Sequence, residues 1–319
     1  MIRHKSARLL APVLVAFAAS AADPAYDLTG HIRPEGTAAV SLFGAATPFR
    51  AADISDSSGR FTFKKLDAGA YTIAVFFPDR GEARQTVEIG PSTADEHHRV
   101  NLNLEFKDSD FVFADPIRRR HAISARQLSV PDRAVRDYED AQRALGRHET
   151  ESAVKSLEHA VEIAPQFSAA WNELGTIAYQ TRRYDRAEQC FRQALDQDPD
   201  AYEPLVNLGG VLVTLERTDE SLDYNIRAVL ARPNDALANS QLGQSYFQAD
   251  NYDLALKYLA RARALDPTHF SHPQLVMAEI HLRRGERAAA ADDLDDFLKH
   301  HPDWPKADAM RKAIADFRQ

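Results

Sequence analysis

Ala170-Trp171-Asn172-Glu173-Leu174-Gly175-Thr176-Ile177-Ala178-Tyr179, then Tyr184-Asp185-Arg186-Ala187-Glu188-Gln189-Cys190-Phe191-Arg192-Gln193-Ala194-Leu195 and Asp198-Pro199, is the stretch from which the fold is read. Its apolar positions step by three and four in two runs of about thirteen residues, as in a pair of amphipathic helices. Proline cannot sit in a helix interior, so Pro199 ends the second run. The layout recurs. Pro165, Pro199, Pro233 and Pro267 stand 34 residues apart, and Pro302 follows after 35. Leu174-Gly175, Leu208-Gly209 and Leu242-Gly243 share one phase, with Met277-Ala278 in the same slot. Ala153, Ala187, Ser221, Ala255 and Ala290 share a second phase, and Ala160, Ala194, Ala228 and Ala262 a third. Small residues at these phases let helices approach where a larger side chain would hold them apart.

Trp171-x2-Leu174-Gly175-x2-Ala178, followed by Ala187-x3-Phe191, Ala194 and Pro199, resembles the tetratricopeptide repeat (TPR). Leu242-Gly243-x2-Tyr246, Ala255-x3-Leu259, Ala262 and Pro267 form a second good copy. The unit from Tyr202 to Asp235 departs from the pattern, with Ser221 and Asn225 in the small and aromatic slots. The unit from Arg133 to Pro165 matches in its second half, and the unit from Ser271 to Pro302 has Phe297 where alanine is usual and one extra residue. Degenerate end units suit a solenoid, whose terminal faces meet solvent or another domain. Asp303-Trp304-Pro305 then sets up a last helix with Ala307, Met310, Ile314 and Phe317 on one face. The expectation is an all-α solenoid over residues 131–319, with about five helical hairpins and a C-terminal capping helix.

The resemblance also implies a site. In TPR proteins the first helix of each hairpin lines a concave groove. The matching positions are Tyr138 and Gln142, then Asn172, Thr176 and Tyr179, then Val206, Gly210 and Val213. Ser240, Gln244 and Phe247 follow, and Leu275 and Glu279 complete the set. Amides and hydroxyls interleaved with apolar groups suit an extended backbone with a few apolar side chains. Tyr179 and Phe247 are expected as anchors that add little to the fold, because Leu174, Ala178, Leu242 and Tyr246 already fill the core slots. One version of the family clamps a terminal carboxylate with basic residues. Here those slots hold Asn172, Thr176, Val206, Asn207, Gly210, Leu237 and Gln241, so that ligand is not expected.

Residues 26–106 change period. Runs such as Tyr71-x-Ile73-x-Val75-x-Phe77 and Val100-x-Leu102-x-Leu104-x-Phe106 alternate, with turn residues such as Pro34-Glu35-Gly36 and Asp79-Arg80-Gly81 between runs. About seven short strands with one apolar face each predict an all-β sandwich. Asp56-Ser57-Ser58-Gly59-Arg60-Phe61-Thr62-Phe63, with Leu66, Gly69 and Tyr71, resembles the carboxypeptidase regulatory-like module. That family is an immunoglobulin-like or prealbumin-like sandwich, also grouped with carbohydrate-binding-like folds, and it implies no activity by itself. Residues 107–130 read as a linker. Phe111 or Phe113 is expected to cover Phe76 on the outer face of its strand.

The first 22 residues have the layout of a secretory signal peptide: Arg3, Lys5 and Arg8, an apolar core from Leu9 to Ala19, and small residues at Ala19-Ser20-Ala21. Export to the periplasm or cell envelope of a bacterium is the expectation, with membrane contact only if the segment stays uncleaved. A formal charge of −8 and pI near 5.8 argue against a nucleic-acid partner. Cys190 is the single cysteine, which excludes an intrachain disulfide and suggests a buried thiol.

No phosphate loop, nucleophile elbow or metal-ligand spacing is present, so no catalytic residues, metal, cofactor or small-molecule substrate are expected. His97-His98 and His300-His301 are adjacent pairs whose side chains diverge, and they read as surface histidines. Asp53 to Gly59 reads as a strand-connecting turn rather than a calcium loop. Asp292, Asp293, Asp295 and Asp296 read as a solvated acidic helix face. The functional expectation is a non-catalytic interaction scaffold or adaptor holding a protein or peptide in the groove. The alternative is a glycan- or cell-wall-binding protein that uses the sandwich, with the repeats as spacer.

Overall fold

A computed structural model describes residues 25–112 and 129–319. The signal segment, Phe113 and the Arg118 to Arg120 run lie outside the described residues.

Seven strands form the N-terminal part: β1 (Tyr26–Arg33), β2 (Ala39–Gly44), β3 (Arg50–Ile54), β4 (Arg60–Leu66), β5 (Gly69–Phe77), β6 (Gly81–Ile89) and β7 (Arg99–Glu105). They make two sheets, ordered β4-β1-β7 and β3-β2-β5-β6, with β1 and β7 parallel and all other pairs antiparallel. Alternation puts Leu28, Ile32, Val40, Leu42, Ile73, Val75, Val100 and Leu104 into one core between the sheets. Asp56 makes the expected turn, its carboxylate accepting from Ser58 N and Arg60 N at 2.9 and 3.0 Å, and Gly59 supplies the positive φ of 80°.

The sandwich runs on past residue 106 into Phe111 and Val112. Phe111 is buried, edge-on to Phe77 and Phe106 with ring centroids 5.8 Å away in each case. Val112 exchanges two backbone hydrogen bonds with Glu82, at 3.0 and 2.8 Å. Phe111 therefore covers Phe77, on the core side of β5, and not Phe76.

Eleven helices follow: α1 (Asp132–Leu145), α2 (Thr150–Ile163), α3 (Ser168–Gln180), α4 (Tyr184–Gln197), α5 (Tyr202–Thr214), α6 (Thr218–Ala231), α7 (Ala236–Gln248), α8 (Tyr252–Leu265), α9 (Pro273–Arg283), α10 (Arg287–His300) and α11 (Ala307–Phe317). They pair as five hairpins with α11 as the cap. Each hairpin turns through a left-handed residue at one phase: His148, Arg182, Glu216, Asp250 and Gly285. In each the next residue's N–H reaches back across the helix end, as from Arg183 to Ala178 O at 2.8 Å and from Glu286 to His281 O at 2.8 Å. Those bonds satisfy carbonyls that a helix terminus otherwise leaves open.

The small phases lie where helices touch. Ala153, Ala187, Ser221, Ala255 and Ala290 are each 0% exposed. The degenerate unit does not break the stack. Ser221 and Asn225 are fully buried, and both meet Ser245 of the next hairpin, at 3.0 and 2.9 Å between side-chain atoms. Phe297 fills the last hairpin, edge-on to Trp304 at 5.1 Å.

A Cβ on Gly175 would lie 2.5 Å from Phe191 Cε1, inside any real contact. Gly175→Leu should overpack this seam and cost roughly 1–3 kcal/mol or more. Because units in a stack support their neighbours, the loss should appear as a lower thermal midpoint for the whole helical part. An unchanged midpoint by circular dichroism would refute the close-approach account.

Candidate functional site

The first helices of the hairpins (α1, α3, α5, α7 and α9) present one surface, and the four-stranded sheet stands against it. Residues 82, 84, 86 and 88 of β6 pair with Phe76, Ala74, Thr72 and Ala70 of β5 and point away from the sandwich core. That face turns toward the solenoid. Arg50 of β3 reaches Glu173 of α3 at 3.3 Å. Arg84 grips Glu203 of α5 with two nitrogens, at 2.8 and 3.2 Å. Thr86, at the sheet edge, donates its backbone N–H to Asp266 Oδ2 at 2.9 Å and accepts from the Thr268 hydroxyl at 2.8 Å. Asp303 accepts from Ser92 N at 3.0 Å, and Gln180 donates to Gly44 O at 2.8 Å.

The charges differ in their surroundings. Burial raises the Glu173 carboxyl, and Arg50 only partly offsets that. Burial also acts on Glu203, but Arg84 and Arg232 outweigh it and hold that carboxyl below its usual value. The Arg84 and Glu203 side chains are 33% and 38% exposed, so solvent screens the pair and its own contribution is about 0.2–1 kcal/mol. Several such contacts act together here.

Between sheet and solenoid lies a space of about 3110 Å³. Eleven of the thirteen sequence-chosen groove positions line it: Tyr138, Asn172, Thr176, Tyr179, Val206, Gly210, Val213, Gln244, Phe247, Leu275 and Glu279. Gln142 and Ser240 do not. Val206, Gly210, Val213 and Ser240 are buried, and Gln142 with the other eight is half-buried. The groove side chains hold one another across repeats, as Asn207 Nδ2 does with Asn172 Oδ1 at 3.0 Å.

Tyr179 and Phe247 differ from expectation. The Tyr179 hydroxyl lies 3.2 Å from Thr214 Oγ1 in the next hairpin, and its ring is tilted on Tyr184 at 5.5 Å. Phe247 packs under the Arg283 guanidinium, 4.5 Å from the ring centroid, and beside Tyr252. Both tie adjacent units together, so their removal would loosen the stack as well as the groove.

His301 and Asp293 depart from the sequence reading, and His272 joins them in the structure. His301 is 4% exposed, and its Nδ1 lies 3.0 Å from Glu88 Oε1 of β6. Asp293 is 5% exposed, bonded to Arg263 at 3.0 Å, and burial pushes its carboxyl up to about 6 against the pull of His281 and Arg263. His272 packs edge-on to His301 and Trp304, with centroids at 4.6 and 5.3 Å. Adjacency alone made His300-His301 look like surface, whereas His301 is enclosed by Phe297 and His272 as well as by the docked sheet. Cys190 is buried as expected, and burial raises its thiol. Among the described residues no cluster of histidine, cysteine or carboxylate has metal-binding geometry.

Burial, then the neighbouring His301 and His269, depress His272 from 6.5 to about 3. A depressed histidine means that the unfolded chain takes its proton first as pH falls. Stability should therefore drop between pH 6.5 and about 3, by up to about 1.4 kcal/mol per unit. Asparagine tolerates the left-handed backbone of this position. His272→Asn should flatten the pH dependence of denaturant midpoints between pH 6.5 and 4.5, and an unaltered slope there would exclude His272 as its source.

A tetratricopeptide repeat family model matches residues 168–201 and 236–269. The human cell division cycle protein 16 homolog is 30% identical over 122 residues, 35% of this chain and 20% of that protein. Anaphase-promoting complex subunit 3 of Schizosaccharomyces pombe is 26% identical over 120 residues, 38% of this chain and 18% of its own. The chain thus spans about a fifth of the length of the curated relatives it matches. MamA of Desulfovibrio magneticus superposes with a TM-score of 0.49 at 20% identity, over 56% of this chain and 99% of that one. Two of the five hairpins thus match the tetratricopeptide repeat, and the helical part as a whole is a TPR-like solenoid.

Proposed function

We propose that this chain is a non-catalytic protein-interaction scaffold of the bacterial cell envelope, which holds an extended protein or peptide segment on the inner face of its repeats. One observation carries the reading. The space of about 3110 Å³ is walled on one side by Asn172, Thr176, Gln244 and their neighbours, and on the other by the polar outer face of the sheet. Amide and hydroxyl groups there can pair with an extended backbone, while Val206, Val213 and Leu275 offer apolar seats. Anaphase-promoting complex subunit 3 is, by its name, a subunit of an assembly, which agrees with a binding role for such repeats.

Thr176 and Gln244 allow a test that spares the fold. Among the described residues, Thr176 is bonded only to its own helix, at Asn172 O, and Gln244 makes one long contact to Ser240 at 3.5 Å. Thr176→Arg with Gln244→Arg should fill the space, leave the thermal midpoint nearly unchanged, and abolish capture of the partner found in envelope extract. Capture that survives would place the site on another surface. Export has its own check. Terminal sequencing of protein recovered from cells should begin at about residue 22, and recovery of an intact Met1 would replace export with a membrane-tethered form.

A further inference from the structure

We propose that β6 sits on the solenoid as a ligand in cis, and that the segment taken in trans is an extended strand with arginine two residues before a free backbone N–H and C=O pair. This deepens the reading of the inner face as a partner site and rests on it.

β6 is the edge strand of its sheet. An edge strand leaves a row of backbone groups unpaired, and proteins cover such rows. Val112 takes those of Glu82, and the solenoid takes those of Thr86 through Asp266 and Thr268. Two residues back along the strand, Arg84 is held by a carboxylate fork from Glu203. Backbone recognition combined with a side-chain contact at alternate positions is how grooves read bound strands. The fork favours arginine over lysine, because its two parallel N–H bonds match a carboxylate.

The acceptors come from separate places in the stack, Glu203 at the start of α5 and Asp266 just after α8. A single hairpin does not carry both. Asp266 Oδ1 receives Thr268 and Oδ2 receives the Thr86 N–H, and β6 fills the place along the solenoid from which these acceptors are reached. A strand entering in trans must therefore displace β6, and the docked sandwich competes with every partner that uses these acceptors. Arg50 and Glu173 form a second clasp toward the N-terminal end of the solenoid, so release of the sandwich requires both to part.

The test uses the full chain and a labelled peptide of residues 82–89, Glu-Ala-Arg-Gln-Thr-Val-Glu-Ile. Arg50→Glu with Arg84→Glu places like charges opposite Glu173 and Glu203. The radius of gyration from small-angle scattering should rise, and the peptide should bind at least tenfold tighter than to the unaltered chain. Glu173→Arg with Glu203→Arg should open the chain equally but take no peptide, since the carboxylate that grips the peptide's arginine is gone. All four changes together restore opposite charges and should restore the compact radius, which separates opening from misfolding. Equal peptide binding by the unaltered and arginine-reversed chains would overturn the proposal. So would peptide binding by the glutamate-reversed chain, or four changes that fail to re-compact a folded protein. If these results hold while envelope extract yields no partner, the scaffold reading fails and the cis contact stands.

Discussion

Helices in this solenoid approach so closely that one added carbon has nowhere to go. At Gly175, Gly209 and Gly243 a Cβ would fall 2.5, 2.0 and 2.6 Å from Phe191, Asn225 and Leu259. The facing alanines are wholly buried, so the seam is narrow from both sides. That closeness fixes how the two helices of each hairpin pack. Hairpins of one shape, repeated through the stack, decide where Glu173, Glu203, Asp266 and Asp303 lie relative to one another, although they are spread over some 130 residues of chain. A surface assembled from several units is as well defined as the contacts between them. The packing of small residues is thus the precondition for the acidic row that meets the sheet.

Much of this was legible because it repeats. The 34-residue spacing of Pro165, Pro199, Pro233 and Pro267 sets the phase, and the resemblance to the tetratricopeptide repeat then says which helix of each hairpin faces inward. The sandwich was legible through alternation, since one buried face demands a period of two. Phe111 was expected over Phe76, and a single aromatic after a strand carries no period to say which face of β5 it covers. Asp293 escaped for a related reason: a run of four aspartates reads as solvated, and only Arg263 and His281 on neighbouring helices draw that one inward.

The meeting of the two parts was not legible at all, and the reason is physical. Apolar packing announces itself by pattern, whereas Arg50, Arg84 and Glu88 sit at outward positions of their strands, where charge is expected. Glu173 and Glu203 are likewise ordinary on helix surfaces. Nothing in the residue types distinguishes an arginine facing water from one facing a carboxylate of another domain. Asp266 stood before Pro267 as an unremarkable turn residue, and its bond to Thr86 N depends on a sheet edge 180 residues away.

The two kinds of contact give the molecule two levels of strength. Within each part, burial of apolar surface contributes about 25 cal/mol per Å² and is hardly affected by salt. Between the parts, the exposed fork of Arg84 and Glu203 is screened within a Debye length of about 8 Å at physiological ionic strength. Rising salt therefore loosens the seam long before it loosens either core. His301 and Glu88 add a polar contact at the far end of the same seam, beside His272, which resists protonation because it is enclosed. The sandwich and the solenoid are each held by what water expels, and are joined by groups that water can solvate instead. A joint of that kind can separate without unfolding either side, as cis occupation of a binding surface requires if the surface is also to serve a partner.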